Sequence, residues 1–151
     1  LQSLGVHHNI EWVDDAISTT PESAIAALDA LGDRVAYMIV GGQDRGNDFT
    51  ELGKRIADSS VEYVVLFPGS GERIRSAIQK AEARVQLFEV NTMRQAVDTV
   101  KSQQQSDSAT KRLSNSVEVP VCLLSTASPS YNMYKNFEGK GKEFARCIVE
   151  E

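Results

Sequence analysis

The chain has 151 residues, the size of one ordinary domain, with 41% hydrophobic and 25% charged residues. No apolar run approaches the roughly 20 residues that span a membrane. The net charge of −5, with Lys and Arg scattered, argues against nucleic acid as the main partner. The sequence begins at Leu1 with neither an initiator Met nor a signal-peptide pattern, so we expect one domain cut from a longer polypeptide.

Apolar runs typical of strands alternate along the chain with amphipathic runs typical of helices. The predicted strands are residues 10–13, 35–40, 61–67, 85–90 and 119–124. The predicted helices are residues 21–31, 48–57, 71–83, 93–102 and 140–149. This alternation predicts a doubly wound α/β fold, in which helices cover both faces of a mostly parallel sheet.

Two capping signals and one polar segment refine this pattern. Thr20 can cap the first helix with Pro21 at its first position, and Asn91 or Thr92 can cap the fourth. Residues 103–116 are polar and contain almost no large apolar side chains, which predicts a mobile surface loop.

The histidines and cysteines form no recognisable site. His7 and His8 stand near an N-terminus that we expect to be unanchored, where solvated side chains are favoured over metal ligands. Cys122 and Cys147 fit neither a disulfide framework nor a metal-binding spacing, so we expect reduced thiols in the cytoplasm. Because no Ser-His-Asp or Cys-His arrangement is present either, we assign no catalytic residue and no metal ligand.

Three loops that follow predicted strands carry side chains able to bind a ligand. In open α/β sheets, ligands bind beyond the carboxyl ends of the strands. The first loop, residues 14–23, is rich in carboxylates and hydroxyls, and the second, residues 41–49, joins paired glycines to Arg45. The third, residues 123–137, is rich in small hydroxyl side chains and ends in aromatic residues, a combination that suits a small polar ligand.

Each loop also has a plain structural interpretation. The hydroxyls of the first can simply cap a helix. The second contains neither the phosphate-binding nor the dinucleotide-binding glycine motif, and it reads equally as a glycine turn with a solvated arginine. The third can be an ordinary packed loop. Spacing alone favours these structural interpretations, and we interpret residues 69–73 as a turn.

Taken together and in order, the three loops resemble the C-terminal domain of Mur ligases, in the branch that joins glutamate to UDP-N-acetylmuramoyl-L-alanine. This resemblance spans nearly the whole chain and outweighs the structural interpretations of the single loops. Its markers are Asp14-Asp15-Ala16-Ile17-Ser18-Thr19-Thr20-Pro21, Gly41-Gly42-x-Asp44-Arg45-Gly46-x-Asp48-Phe49, and Leu123-Leu124-Ser125 with Ser130 and Lys135-Asn136-Phe137-x-x-x-Gly141-x-x-Phe144.

The resemblance implies a Rossmann-like three-layer α/β/α sandwich, residues 1–151, that packs against a central ATPase domain and brings the amino acid to it. In that family ATP, with Mg²⁺, phosphorylates the carboxylate of the nucleotide substrate, and glutamate attacks the resulting acyl phosphate. The UDP-binding and central domains, with the P-loop and metal ligands, are not in this chain. We therefore expect the isolated chain to be inactive and to hold no cofactor tightly.

The resemblance also assigns site residues and leaves alternatives open. Asp15 matches a carboxylate that helps to hold ATP. One family lysine is replaced by Ile17 and another by an arginine, so we expect the pairing with glutamate to be rearranged around that arginine. We favour D-glutamate, the common substrate of the family; the alternatives are a ligase for L-glutamate or another amino acid, and a stand-alone α/β ligand-binding module. The positions that match glutamate-binding residues are Thr19, Arg45, Ser130 and Phe137.

Overall fold

A computed structural model describes residues 1–15, 20–42, 46–110, 119–125 and 137–149, with residues 106–110 and 137–140 described by their backbone alone. The strands are β1 (Gln2–His7), β2 (Ile10–Asp14), β3 (Val35–Val40), β4 (Tyr63–Leu66), β5 (Gln86–Glu89) and β6 (Val121–Leu124). The helices are α1 (Pro21–Leu31), α2 (Thr50–Ala57), α3 (Gly71–Lys80), α4 (Met93–Thr110) and α5 (Phe137–Val149), and a 3-10 turn, Gly32–Arg34, follows α1.

The strands form one sheet in the order β1-β2-β6-β3-β4-β5. The edge strand β1 is antiparallel to β2, and all other neighbours are parallel. The last strand of the chain therefore lies between β2 and β3, two strands that are consecutive in the predicted pattern. The mostly parallel α/β sheet expected from the sequence is confirmed.

Helices cover both faces of the sheet and make the predicted three layers. Helices α1, α2 and α3 pack on one face, and α4 and α5 pack on the other. Every residue of β3, β4 and β6 is buried, as expected for parallel strands covered on both sides. Within the described part of the chain, no helix has both the length and the apolar character needed to cross a membrane.

The predicted helix caps are present. The Ser23 backbone N–H donates to Thr20 Oγ1 at 3.2 Å, with Pro21 at the first helical position. At the start of α4, the Gln95 N–H donates to Thr92 Oγ1 at 3.1 Å, while Gln95 Oε1 accepts from the Asn91 N–H at 2.7 Å. These reciprocal bonds satisfy backbone donors that the helices themselves cannot pair.

Helix α2 begins at Thr50, two residues later than predicted, and the Asp48 side chain is hydrogen-bonded to that first residue. Its Oδ1 accepts from the Thr50 hydroxyl at 2.6 Å and from the Thr50 backbone N–H at 2.9 Å. The hydrogen bond from the Thr50 hydroxyl lowers the pKa of Asp48 most, and the bond from the Thr50 backbone N–H lowers it further, so this pKa lies below its ordinary value.

Strand β1 was not predicted, and it anchors the N-terminus that the sequence suggested was free. It forms a hairpin with β2 through His8 and Asn9, whose φ angles are 57° and 62°. Positive φ at both central residues is what a type I′ turn requires, but glycine, the usual marker of such turns, is absent here. The indole N–H of Trp12 donates to the carbonyl of His7 at 3.0 Å, so His7 belongs to a packed hairpin.

The prediction of a loop over residues 103–116 was wrong for residues 103–110, which continue α4; residues 111–116 lie outside the described part. Gln104, only 3% exposed, explains the extension. Its Oε1 accepts from the Tyr37 hydroxyl at 2.7 Å, and its Nε2 donates to the Asn9 carbonyl at 3.1 Å. A single buried amide therefore joins α4 to β3 and to the hairpin.

Both cysteines are free and buried, in agreement with the expected absence of a disulfide between them. Cys122 lies in the middle of the sheet, where burial raises the pKa of its thiol well above the ordinary value. Such a thiol belongs to the core rather than to a reactive site.

We predict that Gln104→Ala lowers the free energy of unfolding by about 1–3 kcal/mol, because it leaves the buried Tyr37 hydroxyl without this partner. Gln105→Ala is the matched control, since Gln105 is the exposed neighbour on the same helix and its loss should change little. Urea denaturation of the two variants measures the difference. Equal stability of the two would show that the Gln104 contacts contribute nothing.

Candidate functional site

The candidate site lies at the carboxyl ends of the central strands, where the sheet has its topological switch point. After β3 the chain continues to α2 on one face, and after β6 it continues to α5 on the opposite face. β3 and β6 are neighbours in the sheet, so the chain leaves two adjacent strand ends toward opposite faces. Open α/β sheets bind ligands in this position.

The three loops singled out in the sequence all begin at this edge of the sheet. They follow β2, β6 and β3, which are adjacent and parallel. Beyond the strands, the Asp15 N–H donates to the Leu124 carbonyl at 2.8 Å, and the Ser125 N–H donates to the Ile39 carbonyl at 3.2 Å. Two loops separated by more than 100 residues in the chain thus start from hydrogen-bonded neighbours.

Asp15 is the one predicted site residue whose side chain the structure describes, and it is 5% exposed. Its Oδ2 accepts a hydrogen bond from Ser125 Oγ at 3.1 Å, and its Oδ1 lies 3.7 Å from the nitrogen of Leu1. Asp15 is therefore a buried carboxylate whose side chain is held at the ends of β2 and β6.

The other predicted site residues fall on segments that the structure does not describe. Thr19 follows Asp15 in the first loop, Arg45 lies in the second and Ser130 in the third, and all are outside the described residues. Ile17 is outside them as well. The backbone of Phe137 begins α5, but its side chain is not described. What the structure establishes is the set of strand and helix ends that support these loops.

The second loop is held against the neighbouring strand. Gly41 has a φ of 107°, and a Cβ there would lie 2.8 Å from the Phe67 carbonyl oxygen. Gly42 then exchanges two hydrogen bonds with the fully buried Ser70: the Gly42 N–H donates to Ser70 Oγ at 3.0 Å, and the Ser70 N–H donates to the Gly42 carbonyl at 2.8 Å. Gly41 therefore allows two backbones to approach closely, and Ser70, within the predicted 69–73 turn, braces the backbone of the next residue.

The far end of the second loop is held by α3. The Arg73 guanidinium lies 5.3 Å from the centroid of the buried Phe49 ring and donates to the Asn47 carbonyl at 2.6 Å. The cation–π contact and the hydrogen bond of Arg73 together hold the chain between Gly46 and the start of α2 in place. Both ends of the segment that contains Arg45 are therefore anchored.

The start of α5 is brought close to β2. A Cβ at Gly141 would lie 2.5 Å from Asp14 Oδ2, so a larger residue there would force the carboxylate or the helix to move. One turn later, Phe144 packs edge-on against Trp12 with ring centroids 5.8 Å apart. These two contacts place Phe137, the first residue of the helix, on the same side of the molecule as the strand ends.

Two cavities lie near the candidate site without including Asp15. The first cavity, of about 420 Å³, lies beyond the ends of β4 and β5 and is lined in part by Glu72 and Glu89. The second, of about 340 Å³, lies between α2 and α3. Among the described residues, no three His, Cys, Asp or Glu side chains gather as metal ligands would.

Sequence reasoning missed the role of Ser125. It was noted as part of a motif, yet its partner Asp15 lies 110 residues earlier, and no local signal marks the pair. The only trace in the sequence is a hydroxyl residue directly after a wholly apolar strand, a position that faces the strand ends of a parallel sheet.

The fold and the gathered loops define the class: a doubly wound α/β domain with polar loops at its switch point. Known proteins make the assignment specific. Residues 1–110 match the family described as "Mur ligase, glutamate ligase domain". The chain belongs to this family, and the resemblance seen in the sequence is confirmed.

Relatives of two named activities are similar to the chain. It is 35% identical over 144 residues to UDP-N-acetylmuramoylalanine–D-glutamate ligase of Streptococcus agalactiae, covering 95% of this chain and 28% of the relative. It is 32% identical over 139 residues to UDP-N-acetylmuramoyl-L-alanine–L-glutamate ligase of Micromonospora sp., a match that covers 92% of this chain and 28% of the relative. The chain thus spans little more than a quarter of the curated relatives it matches.

A solved structure has the same fold. UDP-N-acetylmuramate-alanine ligase of Thermotoga maritima superimposes with a TM-score of 0.51 at 16% sequence identity, over 92% of this chain and 26% of that one. At this identity the likeness concerns the arrangement of strands and helices alone.

We predict that Gly41→Ala destabilises the domain by about 3 kcal/mol, because the new Cβ both strains the backbone and clashes with Phe67, the residue after β4. Gly46→Ala is the control: Gly46 also has a positive φ, 77°, but a Cβ there meets nothing within 4 Å among the described residues. It should cost only about 1 kcal/mol. Thermal unfolding compares them, and equal losses would mean that the close approach of Gly41 to Phe67 is unimportant.

Proposed function

We propose that the chain is the glutamate-binding domain of an ATP-dependent ligase that attaches glutamate to UDP-N-acetylmuramoyl-L-alanine during synthesis of the bacterial cell wall. The observation that carries this proposal is the meeting of three loops at the ends of β2, β6 and β3 in a chain of the Mur ligase family. Relatives named for this reaction match nearly the whole chain. The enzyme is expected in the cytoplasm, where its nucleotide substrate is made.

In this proposal the loops divide the recognition of substrate between them. Arg45, with its planar fork of donors, pairs with a carboxylate of glutamate, and the hydroxyls of Thr19 and Ser130 donate to it. Phe137 covers the methylene groups of the amino acid. Asp15 accepts hydrogen bonds from ATP. The anchored ends of the second loop and the placement of α5 support these roles.

The chemistry itself is proposed to occur against the rest of the ligase. ATP, with Mg²⁺, activates the carboxylate of the muramoyl substrate, and the amine of glutamate displaces phosphate to form the amide. This domain packs against the ATP-binding domain, positions the amine and excludes water from the activated carboxylate. It supplies no acid, base or nucleophile in the proposal.

A second candidate is a ligase for L-glutamate. Relatives named for the L-enantiomer match at similar identity, including one from Xanthomonas oryzae that is 30% identical over 148 residues, covering 97% of this chain and 29% of the relative. D-glutamate remains the first candidate because the relatives that match at 35% identity are named for it.

The deciding assay gives the full-length ligase ATP, UDP-N-acetylmuramoyl-L-alanine and one enantiomer of glutamate, and measures phosphate release and the nucleotide product. We expect turnover with D-glutamate. Preference for L-glutamate would establish the second candidate, and turnover with neither would reject both. Residues 1–151 alone are the control and should show no turnover, because the ATP-binding domain is not part of them.

We predict that Thr19→Ala and Ser130→Ala each raise KM for glutamate by roughly ten- to hundred-fold, since each removes a hydrogen bond to a charged group. KM for ATP should stay nearly constant. Asp15→Asn should do the opposite and raise KM for ATP first. Steady-state kinetics with each substrate varied in turn separates the two patterns, and unchanged glutamate kinetics in both hydroxyl variants would remove these residues from the site.

A further inference from the structure

Ser125 links all three strands that border the candidate site. Its backbone N–H donates to Ile39 at the end of β3, and it directly follows β6. Its hydroxyl donates to Asp15 Oδ2 at 3.1 Å, beyond the end of β2. It is 0% exposed, so its hydroxyl is not accessible to a ligand from solvent.

This contact fixes the orientation of the Asp15 carboxylate. Asp15 follows β2 directly, and its backbone N–H is already bound to the Leu124 carbonyl at 2.8 Å. With the backbone held, the side chain keeps rotational freedom about its own bonds, and the bond to Ser125 Oγ limits it. Accepting on Oδ2 therefore sets the direction in which the plane of the carboxylate faces.

We propose that Ser125 is a positioning residue that aims the Asp15 carboxylate at the nucleotide in the closed ligase. This inference rests on the proposed function and adds to it a residue that acts through Asp15 without touching substrate. A hydroxyl is the suitable group, because it donates to a carboxylate without the charge that would neutralise it. A buried serine in a merely structural role would hold the loop but would not affect ATP more than glutamate.

The test uses the full-length ligase with Ser125→Ala, Ser125→Thr and Ser125→Cys. Ser125→Ala is expected to raise KM for ATP roughly three- to thirty-fold while leaving KM for glutamate within about two-fold. Ser125→Thr keeps the hydroxyl and should restore KM for ATP; Ser125→Cys, of similar size but a weaker donor, should fall between. If Ser125→Ala does not fold, the comparison of Ser125→Cys with wild type carries the test. An equal rise in both KM values would overturn the proposal.

A double-mutant cycle separates positioning from general stability. In an Asp15→Ala background, Ser125→Ala should have no further effect on KM for ATP, because the carboxylate that it aims is gone. An effect that persists undiminished in that background would overturn the proposal. Ser60→Ala is the control: its hydroxyl donates to the Val35 carbonyl at 2.7 Å at the opposite end of the sheet, so it should leave KM for ATP unchanged.

The wild-type enzyme distinguishes failure of this inference from failure of the proposed function. A full-length protein without glutamate-dependent ATP turnover would reject the proposed function, and this inference with it. An active wild type whose KM for ATP is indifferent to Ser125→Ala and Ser125→Cys would reject the positioning role alone.

Discussion

The insertion of β6 between β2 and β3 is the constraint on which the rest of the structure depends. Leu124 is in register with Asp14 of β2 on one side and with Ile39 of β3 on the other. Because the three strands are parallel, their carboxyl ends meet at one edge, and the loops that follow must leave from there. Without β6 in this place, the first and third loops would have no common origin.

Buried polar contacts then hold that edge in one arrangement. Asp15 and Ser125 are bonded to each other, and Ser70 is bonded to the loop after β3. A buried polar group that loses its partner is costly, so each of these bonds restricts the backbone near it. The site is therefore supported from beneath by Ser125 and Ser70, neither of which is proposed to touch substrate. Loops on a rigid sheet edge can vary in sequence while their starting points stay fixed.

The division of labour proposed for this family follows from the same geometry. The chain is little more than a quarter of its relatives' length, and the loops proposed to recognise glutamate leave from one edge of its sheet. Under the proposed function, recognition by a separate domain brings the reacting amine to the activated carboxylate together with closure, which excludes water. The helices on the two faces keep the loops at one end of the sheet, where a neighbouring domain can meet them.

Much of this architecture was predictable from local patterns. The alternation of apolar and amphipathic runs predicted five of the six strands and all five helices, and the caps at Thr20 and Thr92 followed from residue type. The three polar loops were also recognisable, because groups that follow buried strands of an α/β sheet stand at the binding edge whatever the strand order. The three loops, taken together in their order along the chain, were enough to identify the family.

What the sequence determined by itself was the type of each long element and the loops that could bind a ligand, because periodicity and capping act over a few residues. The tertiary structure decided the strand order, the hairpin at the N-terminus, the length of α4 and the partner of Asp15. Each of these depends on a contact between residues far apart in the chain, such as Gln104 with Tyr37 or Ser125 with Asp15. A hydrogen bond of that kind leaves no periodic trace, because it involves one polar side chain at each end and forms only once the sheet has brought them together.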